Sequence, residues 1–144
     1  MSFWETNSVI LGIGSLVGGG TYFAIVFWQS LSLAALAPPS LIVWLGCLAL
    51  QFLISVFGVF FITDKAEKAL VKDIPGGTDE RDQIIRVNAE AWQGHVMSAL
   101  IFVCMAAWFA HGSSAIFFHS LVGALTLSEL ARCGVQVFNY NRAY

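Results

Sequence analysis

Three residues near the end of the chain, Glu129, Arg132 and Gln136, are the first candidates for chemistry. They follow one another at intervals of three and four residues, so a helix would carry them on one face. If the preceding helix runs antiparallel and turns at residues 111–112, counting outward from that turn places His95 level with Glu129. A carboxylate, a guanidinium and an imidazole in apolar surroundings are unfavourable unless they are paired.

The same counting places Glu90 level with Arg132 and predicts a polar cluster. Its members are Asn88, Glu90, His95, Glu129 and Arg132. One interpretation is a Glu129–Arg132 ion pair that only locks two helices together. The other is a protonation or ligand switch centred on His95, because histidine titrates near neutral pH.

A second group could bind a metal. Cys47, Cys104 and His119 are expected at similar depths, and two thiols with an imidazole suit a soft metal ion. No CxxC spacing supports this, so the cysteines, including Cys133, are more simply read as small buried residues. No HExxH motif, phosphate loop or Ser/His/Asp arrangement occurs, and the sequence predicts neither an enzyme nor a cofactor.

The elements that carry these residues are strongly apolar. Hydrophobic residues make up 58% of the 144 positions and charged residues 11%, against roughly 25% charged in soluble domains. The composition predicts one integral membrane domain over residues 1–144 in contact with a lipid bilayer. The net charge of −2 argues against a direct nucleic-acid partner, and the N-terminal MSFWETNS lacks the basic residues of a cleaved secretory signal.

Four segments reach the roughly 20 apolar residues that a spanning helix needs. They predict an all-α, integral membrane four-helix bundle with spans at about 8–36, 40–62, 90–110 and 113–140. All seven Lys and Arg fall in the 63–89 loop or toward the C-terminal end. The positive-inside rule therefore places both termini and the loop in the cytoplasm, as expected for an inner membrane protein.

The central loop is predicted to form a short cytoplasmic helical hairpin. Residues 64–72 could continue the second helix, and Thr78 or Asp79 could cap the third. Mixed charge at Glu80, Arg81 and Asp82 suits a protein partner better than DNA or an anionic lipid surface.

The first span contains GIGSLVGGGTYF, in which Gly14, Gly18 and Gly19 allow another helix to approach closely. The partner surface could belong to the same bundle, to a second copy in a dimer or to another membrane subunit. The three consecutive glycines could also bend the helix.

Two stretches resemble a known group of proteins. DERDQII, residues 79–85, resembles the DERD-x-x-I signature of small prokaryotic four-helix membrane proteins of unknown function, and residues 125–142 resemble their closing pattern. Members are often encoded beside helix-turn-helix regulators. The resemblance thus implies a cytosolic regulator protein as partner.

The leading hypothesis is a non-enzymatic regulator or sensor that binds a cytosolic protein through residues 63–89. One alternative is an accessory subunit of a larger membrane complex, which minimal loops and few charges would suit. The other is a small-molecule or ion carrier that uses the polar cluster.

Overall fold

The described residues form four long helices. In this computed structural model, α1 spans Phe3–Leu33, α2 Leu41–Leu70, α3 Glu80–His111 and α4 Ser114–Arg142. The structure describes the backbone of residues 3–70 and 80–142, and side chains of 6–61 and 80–142. No strand occurs in these ranges, which confirms the all-α prediction. The suggested caps Thr78 and Asp79 lie outside the described residues.

The four helices are longer than the predicted spans. At about 1.5 Å per residue, the 31 residues of α1 extend about 45 Å, more than the roughly 30 Å of a bilayer core. Helix α2 continues to Leu70 and α3 begins at Glu80, so both extend into the predicted hairpin. All four are long and apolar enough to cross a membrane, as expected for a multi-pass membrane protein.

Hydroxyl and glycine residues set the helix ends near the two described turns. Ser40 and Ser113 cap α2 and α4, since their Oγ atoms accept hydrogen bonds from the N–H groups of Val43 and Ile116. Helix α3 ends at His111 and is followed by Gly112, whose φ of 63° is most favourable for glycine. We call this end of the molecule the turn side and the opposite end the termini side.

The helices pack in the lateral order α2, α1, α4, α3. Within the described residues, extensive contacts join α1 to α2, α1 to α4 and α3 to α4. The first and last helices are therefore central. In the most apolar windows of α2 and α3 only 6% of residues are buried, against 33% for α1 and 22% for α4. The two flanking helices thus present most of their surface to the surroundings.

The main buried apolar cluster lies on the turn side. Tyr22, Val26 and Val122 pack there with Cys47 and with Ala37 from the α1–α2 connection. Ala37 is fully buried, an unusual position for a loop residue. Its backbone groups must therefore find partners inside the protein.

Candidate functional site

Glu129 is the centre of the polar contacts between α3 and α4. Its Oε1 contacts Nη2 of Arg132 and accepts a second hydrogen bond, of 3.2 Å, from Arg132 Nε. Its Oε2 accepts a 2.7 Å hydrogen bond from Gln93 on α3. The Glu129 and Arg132 side chains are only 22% and 14% exposed, so the pair is partly shielded from the surroundings. The arrangement holds one negative and one positive charge between two helices.

The other predicted members of the polar cluster are exposed residues of α3. His95 is exposed and makes an edge-to-face ring contact with Trp92, at 6.5 Å between centroids. Glu90 lies 3.8 Å from Arg86 in an exposed pair within α3, and Asn88 is exposed. The structure therefore brings Glu129 and Arg132 into direct contact, and the α3 residue that bonds to Glu129 is Gln93, not His95.

His119 joins three parts of the chain on the turn side. Its Nε2 lies 2.9 Å from the Ala37 carbonyl oxygen, and its Nδ1 lies 2.7 Å from the Tyr22 hydroxyl. A carbonyl only accepts, so Nε2 carries the hydrogen and Nδ1 accepts from Tyr22. The Ala37 N–H in turn donates to Ser30 Oγ at 2.9 Å. We call these three hydrogen bonds together the turn-side lock. They give both the N–H and the carbonyl of the buried Ala37 a partner.

The thiols and imidazole considered for a metal are not assembled into a site. Cys47, Cys104 and His119 are each buried, and both ring nitrogens of His119 have partners within the protein. In the described part of the chain, no group of three or more His, Cys, Asp or Glu could hold a metal ion. Each of the three cysteines is a buried free thiol.

The glycines of α1 make two close seams within the chain. A Cβ at Gly14 would lie 3.0 Å from Ser55 Oγ, and one at Gly18 would lie 2.9 Å from Gln51 Cβ, both on α2. One at Gly19 would lie 2.7 Å from Thr126 Oγ1 on α4. The three predicted packing positions therefore face helices of the same chain, whereas Gly20 has nothing within 4 Å. Association with another copy would use a different surface.

An open groove of about 730 Å³ follows the α1–α2 seam. Its walls are formed mainly by apolar side chains from α2, with one residue from α1. The lining is Leu11, Leu48, Gln51, Phe52, Ser55, Val56, Val59 and Phe60. Gln51 Nε2 donates a 2.8 Å hydrogen bond to Ser15 Oγ, so this polar residue of the groove lining is bonded to α1. The volume is within the range of about 300–1,000 Å³ typical of small-molecule sites.

The predicted partner-binding residues stand at the start of α3. Glu80 and Arg81 are exposed and Asp82 is half-buried. Glu80 and Asp82 lie in the first turn, where negative charge is favourable beside the positive end of the helix dipole. Farther along, Ile85 and Ala89 are buried, so the helix becomes anchored within two turns.

Sequence reasoning missed Gln93, Tyr22 and Ser15 as hydrogen-bonding residues. Each is a neutral polar residue within or beside an apolar stretch, which is the only signal that could have identified it. In a membrane segment such a side chain is expected to bond across to another helix. Tyr22 and Gln93 bond to the same helix, α4, the first near its start at His119 and the second at its middle at Glu129.

The described residues form an all-helical bundle whose four helices are long and apolar enough to span a membrane, and interhelical polar contacts and glycine seams hold the helices together. No protein-family model, curated protein or solved structure matches the chain.

Proposed function

We propose that the chain is a non-enzymatic regulator or sensor in a prokaryotic inner membrane, which binds a cytosolic protein through residues 63–89. The continuity of α3 carries this proposal. One helix runs from exposed charges at Glu80 to the buried Cys104, past the Gln93–Glu129 contact. A shift between two packings of the membrane-embedded part would move the exposed end with it.

The distribution of basic residues supports cytoplasmic termini. All seven Lys and Arg lie between α2 and α3 or at the termini side of the described helices, and none lies in the turns around residues 34–40 and 112–113. In a chain without its three native cysteines, Ser113→Cys should react with an impermeant thiol reagent on intact cells and Asn141→Cys should not. The opposite labelling would refute this orientation.

The proposed partner surface is the first turn of α3, where Glu80 and Arg81 are exposed. Residues of both signs close together favour recognition of a protein surface with complementary charges. The regulator encoded beside proteins of the resembling group is the kind of partner that we expect.

Charge reversal tests this surface. We expect Glu80→Lys/Asp82→Lys to abolish photo-crosslinking to a defined soluble protein, while Arg142→Glu, an exposed charge at the same side, leaves it intact. Both variants should reach the membrane in equal amounts. Recovery of the same crosslinked proteins from native and charge-reversed chains would contradict the proposal.

A second candidate is an accessory subunit of a larger membrane assembly. The observation that favours it is the exposure of α2 and α3, whose most apolar windows are almost unburied. Extraction in a mild detergent distinguishes the two candidates. A subunit would leave the membrane in one large particle of defined composition. A regulator would be recovered as a small particle, which would bind its soluble partner only when that partner is added to it.

A further inference from the structure

A buried amide oxygen on α4 lacks a hydrogen-bond donor. Gln136 is only 2% exposed, and its Oε1 has no partner among the residues that the structure describes. Buried polar groups in native proteins are almost always hydrogen-bonded, so such an exception calls for an explanation. The position of Gln136 on α4 indicates which part of the chain can supply the donor.

Gln136 lies on the side of α4 that bonds to α3. It follows Glu129 by seven residues, nearly two full helical turns, and Glu129 accepts the hydrogen bond from Gln93 of α3. On α3, Arg86 precedes Gln93 by the same seven residues. Because α3 and α4 run antiparallel on either side of a tight turn, Arg86 and Gln136 repeat the Gln93–Glu129 pair two turns nearer the termini side.

A second pair of residues supports this register. The numbers of Gln93 and Glu129 add to 222, as do those of Glu90 and Arg132, and the Glu90 carboxylate acts electrostatically on the Arg132 guanidinium. Both charged residues nevertheless have ion-pair partners on their own helices. Glu90 lies 3.8 Å from Arg86, and Arg132 contacts Glu129. The α3–α4 seam therefore offers a second set of complementary partners across the two helices.

The pair between Arg86 and Glu90 is easily exchanged. Their side chains are 46% and 56% exposed, and the shortest distance between their charged atoms is 3.8 Å. An exposed ion pair within one helix contributes little to stability. A hydrogen bond from a guanidinium to the buried Gln136 oxygen contributes more, because that oxygen is removed from water without a donor.

We propose that the α3–α4 seam has a second arrangement, in which Arg86 leaves Glu90 and donates a hydrogen bond to Gln136 Oε1 while Glu90 turns toward Arg132. The exchange replaces an ion pair within α3 by two contacts across the seam. It brings the termini-side end of α3 into a second position against α4, which we call the crossed arrangement.

The crossed arrangement would move the proposed partner surface. The Gln93–Glu129 hydrogen bond lies nearer the turn side and remains in place, whereas the first turn of α3, with Glu80 and Arg81, moves with Arg86. The two arrangements thus present those charges in two positions. The inference names the two-state element of the proposed sensor, and in that respect it rests on the proposed function.

Spin labels test the proposal in lipid nanodiscs. Gln83→Cys on α3 and Gly134→Cys on α4 place the labels at exposed positions, whereas the three native thiols are buried and stay unlabelled. We expect pulsed dipolar spectroscopy of this chain to give two distances between the labels. This measurement leaves the seam residues unchanged, so it does not depend on whether a seam variant folds.

Variants of Gln136 then assign the two distances. Gln136→Glu gives Arg86 a carboxylate partner and should change the ratio of the two populations by about tenfold, the effect of one hydrogen bond to a charged group. Gln136→Leu should change the ratio by about tenfold in the opposite direction. Asn141→Leu, which removes an exposed amide at the same side, should leave it unchanged.

Three results would contradict the proposal. A single distance in every variant would overturn the crossed arrangement, and a ratio that is insensitive to Gln136 would exclude this residue from it. If Arg86→Leu/Gln136→Glu shows the same ratio as Gln136→Glu, Arg86 is not the donor. The labels are measured without any soluble partner, so failure here differs from failure of the charge-reversal experiment.

Discussion

The seam between α1 and α4 allows a quantitative test at two adjacent glycines. A Cβ at Gly19 would lie 2.7 Å from Oγ1 and 3.1 Å from Cβ of Thr126. Thr126 Cγ2 is also in contact, and rotation about χ1 cannot turn both Oγ1 and Cγ2 away or move Cβ, so the two backbones must separate. A Cβ at Gly20 meets no atom within 4 Å. Gly19→Ala and Gly20→Ala therefore differ in packing while they share the same change in helix propensity.

The expected magnitudes follow from these contacts. Alanine stabilises a helix interior by about 1 kcal/mol relative to glycine, and overpacking costs about 1–3 kcal/mol. Gly20→Ala should raise the free energy of unfolding by about 0.5–1 kcal/mol. Gly19→Ala should lower it by about 1 kcal/mol, and Thr126→Ala in the same chain should restore part of the loss because only the 3.1 Å contact remains.

The three buried thiols provide the assay. Cys47, Cys104 and Cys133 are free and buried, so a thiol-reactive fluorophore should report unfolding of the detergent-solubilised protein as denaturant increases. The comparison between adjacent glycines cancels most effects of detergent on absolute stability. Equal unfolding midpoints for the two alanine variants would refute the close α1–α4 approach.

Other contacts give further expectations, each measurable by the same thiol assay. Tyr22→Phe should lower the free energy of unfolding by about 1 kcal/mol, because Nδ1 of His119 keeps its place but loses its donor; an unchanged midpoint would contradict the turn-side lock. Arg132→Gln should cost about 2 kcal/mol, since it leaves the partly buried Glu129 charge with Gln93 alone. Adding Glu129→Gln should restore stability, and a larger loss in the double variant would argue against the ion pair. Gly112→Ala should cost about 1 kcal/mol because a side chain at a φ of 63° clashes with the following carbonyl oxygen; Gly134→Ala, at an open helical position, serves as its control.

The sequence predicted the number and class of the elements well because apolar length is a property of each segment alone. It also predicted the Glu129–Arg132 pair, since both residues lie on one helix. Counting from a turn gave the correct depth for the α3 partner of Glu129, but not its identity. Gln93 and His95 are two residues apart, which is about 200° around a helix. If Gln93 faces α4, His95 must face away, as the structure shows.

The lateral order of the helices could not be predicted from the sequence, for a related reason. Every helix here is apolar over much of its circumference, so hydropathy does not mark the face that packs against protein. Glycine positions carried some of that information, because Gly14, Gly18 and Gly19 all lie in seams. Gly20 follows directly and lies in none. The sequence does not distinguish a glycine in a seam from one outside it, whereas the packing of the helices does.

The central position of α1 and α4 also constrains biogenesis. The ribosome delivers α1 first and α4 last, yet these two helices share the Gly19 seam and the Tyr22–His119 hydrogen bond. Until α4 has been made, the glycine flank of α1 at Gly19 is uncovered, the Tyr22 hydroxyl lacks its acceptor, and the Ala37 carbonyl lacks the imidazole 82 residues downstream. A chain cut short before α4 therefore leaves the polar groups and the glycine surface that α4 covers without partners, so completion of the fold depends on the last helix.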